Sequence, residues 1–165
     1  TVSQALLRCF AFGFHIPIDD LRGWVVSGIS HPIPIWTPET TRQFRLARRA
    51  ACQLAQVYAD AGFAVVLDDI VHATDVNDSF DGPLSAYAFY KILLLPEVDI
   101  ALGRNRSRRN KDFETSVLNE PIRGIHRSLA SQTLEPEQWL VIDSSRLSID
   151  ETVDEIIART IQRTT

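Results

Sequence analysis

Four short, nearly continuous apolar runs govern what this chain can fold into: FHIPI (14–18), FAVVL (63–67), KILLLP (91–96) and WLVID (139–143). Apolar residues at almost every position, rather than at every second one, mark strands covered on both faces, as in a parallel sheet. Parallel strands need long crossovers, and the stretches between the runs carry helical periodicity. The clearest helix runs from about Pro38 to Ala61, with Phe44, Ala47, Ala51, Leu54, Ala55 and Tyr58 on one side and Gly62 placed to end it. Arg42, Arg45, Arg48 and Arg49 read as its solvated face. The last helix opens with a capping box, Ser148 and Glu151, and turns Val153, Ile156, Ile157 and Ile161 inward. This alternation predicts an α/β three-layer sandwich with a mostly parallel sheet, in one domain spanning 1–165.

Composition narrows the function classes. Apolar residues make up 45% and charged residues 23% of 165, ordinary for a globular domain with a real core. The net charge of -4 argues against a general nucleic-acid binder. Cys9 and Cys52 have no metal-ligand or C-x-x-C spacing and read as buried thiols in a reducing compartment. No apolar run reaches the roughly 18 residues needed to cross a bilayer, and no signal peptide opens the chain. A cytoplasmic protein without a membrane partner is the expectation.

In an open α/β sheet the ligand sits beyond the carboxyl ends of the strands. The residues there are Asp19-Asp20, Asp68-Asp69 and Asp143-Ser144-Ser145. Turns favour Asp and Ser for reasons of their own. Two acidic pairs at one edge also suit holding magnesium through water or taking a proton from a hydroxyl. Within HIPIDDLR, Asp19 is either a cap for the next helix or a base beside the anion-binding Arg22. Complementary charge lies in RNRSRRNK (104–111), where Arg104 and Arg108 are four apart and would share a helix face. They are either solvated cations at a helix end or a grip for phosphates. His15 reads as a satisfied strand histidine, His126 as a packed one, and Trp24 and Trp139 as core. The opening TVSQALLRCF reads as a helix with the stripe Val2, Ala5, Leu6 and Cys9, preceded by neither cap nor strand.

Taken in order, these segments resemble the P-loop kinase superfamily, in particular the chloramphenicol phosphotransferase-like and polynucleotide kinase-like small-molecule kinases. TVSQALLRCF looks like the helix that directly follows a Walker A loop, with Thr1 next after the magnesium-binding hydroxyl. H-x-P-x-D-x-L-R (15–22) looks like the segment carrying the catalytic aspartate, here Asp19, and an acceptor-contacting arginine, here Arg22. AGFAVVLDDIV (61–71) resembles the second acidic strand, with Asp68 and Asp69 as the metal candidates. RNRSRR opens a lid over 104–116. VIDSSRLSIDETVDEII resembles the final strand and helix, whose Ser144, Ser145 and Arg146 would lie near the nucleotide.

The resemblance implies an ATP- and Mg2+-dependent phosphotransferase acting on a hydroxyl of a small-molecule acceptor. In it Asp19, Arg104 and Arg108 would be catalytic, and Asp20, Arg22, Trp36 and His72 would bind substrate, with Arg104 and Arg108 also on the nucleotide. Acceptor specificity would reside in 25–45 and 70–90. The sequence departs from the family in lacking G-x-x-x-x-G-K-[ST]. The expectation for Thr1–Thr165 by itself is therefore little or no Mg-ATP binding, no phosphotransfer, and, through unpaired sheet edges, either association into a homo-oligomer or loss of stability. The alternative is a non-catalytic α/β binding domain derived from such a kinase.

Overall fold

The computed structural model describes residues 1–107, 115–135 and 138–160. They group into two compact units, Thr1–Phe89 and Tyr90–Thr165, each with one pair of parallel strands. The chain is thus mixed α/β, and all four apolar runs become strands.

In the first unit, α1 (Val2–Leu7) leads to β1 (Gly13–Pro17), which pairs in parallel with β2 (Ala64–Asp68) from Gly13↔Ala64 to Pro17↔Asp68. Between the two strands come α2 (Ile18–Gly23) and the long α3 (Pro38–Asp60). Thr37 caps α3 reciprocally with Thr40, Pro38 occupies the first turn, and Gly62 at φ +85° lets the chain leave the helix end, a conformation costly for any residue with a Cβ. A helical run follows: α4 (Ala73–Val76), a π-helical turn (Asn77–Asp81) and α5 (Gly82–Leu84). It docks on α3, where Gln56 donates to the Pro83 carbonyl (2.7 Å) and Tyr87 donates to Asp60 (2.8 Å). The buried stripe of α3, Phe44, Ala47, Ala51, Cys52 and Ala55, joins Ile16, Ile18, Val76, Phe80 and Leu84 in the core. Phe14 stacks on Tyr58 at 3.6 Å, tying β1 to α3.

The second unit contains β3 (Lys91–Leu94), α6 (Val98–Arg106), a 3-10 turn (Thr115–Leu118), α7 (Asn119–Ala130), β4 (Trp139–Ile142) and α8 (Ile149–Thr160). β3 and β4 pair in parallel from Lys91↔Trp139 to Leu94↔Ile142. The capping box opens α8 as expected: Ser148 N donates to Glu151 (2.8 Å) and Glu151 N donates to Ser148 Oγ (3.2 Å). Val153 and Ile156 are buried, while Ile161 lies outside the described residues. His126 Nε2 donates to the Pro96 carbonyl (2.8 Å), pinning α7 to the turn after β3.

Several expectations are corrected. Thr1 caps α1 through its side chain, with Gln4 as the reciprocal partner, so the helix has a cap. Its buried residue is Leu7; Cys9 is exposed, and only Cys52 is a buried thiol. Trp24 is 73% exposed instead of core, because it lies past the end of the short α2 with no packed partner. Trp139 is half-buried. Arg48 is buried, not part of a solvated face. No described helix is long and apolar enough to cross a membrane.

Candidate functional site

The carboxyl end of the β1–β2 pair carries Asp19, Asp20, Asp68 and Asp69. Pro17 is both the last residue of β1 and the N-cap of α2, so the strand hands over to the helix without an intervening loop. Proline has no N–H to give the ladder, and its fixed φ suits the entry to a helix. Asp19 and Asp20 thereby fall inside the first turn of α2, where negative charge favours the helix dipole, and neither makes a side-chain capping bond. The capping role considered for Asp19 is not what the geometry provides. Asp19 is 74% exposed, with Arg22 Nη1 3.6 Å away.

Arg22 itself is turned inward. Nη2 donates to the Ser30 carbonyl (2.6 Å), and the guanidinium lies over the Phe44 ring at 3.8 Å. Ser30 is tied further to α3: its N–H donates to Gln43 (2.9 Å) and its hydroxyl lies 2.8 Å from that of Thr40. Arg22 thus fixes the 24–37 loop against α3, and its side chain is almost fully buried.

The two aspartates of β2 divide sharply. Asp68, half-exposed, accepts from Ser3 Oγ (3.1 Å) and from His15 Nε2 (3.2 Å). Asp69, only 7% exposed, accepts from Arg48 Nε at 2.7 Å, and Arg48 is 8% exposed. Arg48 also lies 3.7 Å from Asp75. Burial pushes the Asp69 carboxyl up, the Arg48 charge and hydrogen bond pull against it, and the nearby Asp19 charge pushes the same way as burial. Among the described residues no three His, Cys, Asp or Glu side chains converge on a cation site. Of the two β2 aspartates, only Asp68 offers an accessible carboxylate, which suits magnesium held largely through water but not a closed protein cage.

His72 precedes α4 without capping it. Trp36 is 54% exposed; its Nε1 donates to Thr41 Oγ1 (2.7 Å) and its ring stacks on Phe44 at 5.0 Å.

The remaining candidates belong to the second unit. Arg104 donates to the Ser144 carbonyl (2.7 Å) and hydroxyl (3.2 Å), holding α6 to the turn after β4. Ser145 Oγ accepts from Glu97 N–H (2.7 Å) and donates to Asp143. The hydrogen bonds from Ser145 hold the Asp143 carboxyl below its usual range, with a smaller pull from exposed Arg146. Arg108 lies outside the described residues. Arg104, Ser144 and Ser145 therefore cross-brace one turn, a role their side chains fill without a ligand.

Sequence reasoning missed the Arg48–Asp69 pair. Its signal was Arg48's place four residues after Phe44 and three before Ala51, on the edge of the buried stripe. The chain matches no family model and no curated protein.

Proposed function

We propose that the chain is a P-loop NTPase-like phosphotransferase domain of the three-layer α/β type, acting with ATP and magnesium on a hydroxyl of a small-molecule acceptor. The observation that carries this reading is Asp19: an exposed carboxylate one residue past Ile18 at the carboxyl end of a parallel strand, with the buried Arg48–Asp69 pair behind it. Bound ATP and magnesium would supply the phosphoryl group and neutralise its charge. Asp19 accepts the proton of the attacking hydroxyl; its exposure leaves room for an acceptor. Arg22 does not touch the acceptor but positions the 24–37 loop, along which Trp36 is displayed. Asp68 is the residue to hold magnesium, while Asp69 is retained by Arg48.

The test is Asp19→Asn in a version of the protein carrying a complete phosphate loop before Thr1, assayed for phosphotransfer from ATP to a panel of polyols, aminoglycosides and nucleosides. Turnover should fall by about 10² or more with ATP affinity nearly unchanged. Near-normal turnover would remove Asp19 from the base role. A second reading is a binding domain without catalysis: Arg22 and Arg104, both expected on ligands, are instead taken up by the Ser30 and Ser144 carbonyls. Phosphotransfer to no acceptor on the panel by the loop-bearing version would select it.

A further inference from the structure

The outer face of α3 carries an open groove of about 720 Å³, lined by Trp36, Thr41, Arg42, Arg45, Leu46 and Arg49. At 100° per residue Arg42, Arg45, Leu46 and Arg49 project away from the buried stripe of Phe44, Ala47, Ala51 and Ala55. One feature of the groove is pre-organised. The Trp36 indole is locked by its bond to Thr41 and backed by Phe44, yet remains more than half exposed. It is a flat apolar platform whose position needs no ordering on binding. Arg45 and Arg49, both exposed, sit one turn apart with Cβ atoms about 5–6 Å from each other. Neither has an anionic partner among the described residues. Arg42 differs: Glu39 holds it through two bonds of 2.8 Å, and Gln43 holds Glu39 in place.

Unpaired guanidinium forks recognise phosphate, and a fixed indole recognises a planar ring. We infer that this groove binds a phosphate-bearing nucleobase, stacked on Trp36 with its phosphate held by Arg45 and Arg49. The ligand is a free nucleotide or a nucleotide within a single strand. The inference does not rest on the phosphotransferase reading: it shares Trp36 with it, but Arg45 and Arg49 have no part in that reading.

The experiment measures fluorescence anisotropy of a labelled ten-nucleotide oligodeoxyadenylate with the Thr1–Thr165 chain, then competes it with AMP and with inorganic polyphosphate. Arg45→Ala/Arg49→Ala should raise Kd at least about tenfold and reduce the slope of log affinity on log salt by roughly 0.7 per arginine. Trp36→Ala should weaken binding about fivefold or more with the salt slope unchanged, and Trp36→Phe should restore most of it. Arg42→Ala should change Kd less than about threefold, since Glu39 already neutralises it. Displacement by AMP assigns the groove to single nucleotides; failure of AMP to displace the oligomer assigns it to a strand. The inference is overturned by absence of oligomer binding, by insensitivity to the arginine pair, or by polyphosphate competing as well as the oligomer with Trp36→Ala unchanged.

Discussion

Replacing Arg48 with methionine isolates the buried charge of Asp69. Methionine fills much of the volume of the arginine stem, so the main loss is the 2.7 Å ion pair with a carboxylate only 7% exposed. Removing one partner of such a pair costs about 3–5 kcal/mol, because the remaining ion is left desolvated and unpaired. The carboxyl can escape by taking up a proton, which sets a ceiling on the cost. Protonating an aspartate of ordinary value near 3.9 costs about 4 kcal/mol at pH 7 and about 1.5 kcal/mol at pH 5, at roughly 1.36 kcal/mol per unit. The destabilisation by Arg48→Met should therefore be about 4 kcal/mol at pH 7 and shrink by more than half at pH 5. Urea unfolding followed by far-UV circular dichroism at the two pH values measures it. The double variant Arg48→Met/Asp69→Leu should return to within about 1 kcal/mol of the parent or exceed it, since well-packed apolar replacements avoid the desolvation of both ions. A single-variant cost below about 1 kcal/mol at pH 7, or one independent of pH, would refute the claim that the Asp69 carboxylate depends on Arg48.

Ser148→Ala removes the hydroxyl that caps α8 and should cost about 1 kcal/mol, read from the same unfolding transition. Arg104→Ala deletes both bonds to Ser144 and should cost about 1–3 kcal/mol while speeding amide exchange in the turn after β4; unchanged exchange would remove the cross-brace. Glu39 should titrate at about 2 by carboxyl NMR, held down by hydrogen bonds from Arg42 and Gln43. Its folded value lies below its unfolded one, so its contribution to stability is present above the ordinary glutamate range and is lost as pH falls toward 2. Asp143 and Glu151, also lowered, act with the same sign, whereas raised Asp69 contributes stability that is lost as pH rises through its folded value.

The four strands were legible because unbroken apolar runs bounded by Asp, Pro and Gly leave little else for the chain to do, and α3 because Pro38 and Gly62 punctuate a long periodic stretch. The edge carrying Asp19, Asp68 and Asp69 followed from strand direction alone. What the sequence did not reveal were the pairings. Whether Arg22 faces a ligand or the Ser30 carbonyl depends on how the 24–37 loop returns to α3, a long-range contact with no local signature. Trp24 was misplaced because a large aromatic suggests burial, although the end of a six-residue helix offers nothing to cover it. Thr1 and Gln4 show the reverse failure, a reciprocal cap present in the letters and passed over.

The direct passage from β1 into α2 has a mechanical consequence. With Pro17 shared by both elements, no loop lies between the sheet and Asp19, so the backbone that carries the carboxylate is tied to the β1–β2 ladder. The segment between Trp24 and Thr37, in contrast, is anchored at Ser30 and leaves Trp24, Val26 and Ile35 out in solvent. Its length and tip residues can be rebuilt without displacing Asp19, provided the Ser30 anchor is kept. Geometry that must stay fixed and surface that is free to change are thus carried by adjacent stretches of chain, and an engineer seeking a new ligand preference would vary the second while leaving the first untouched.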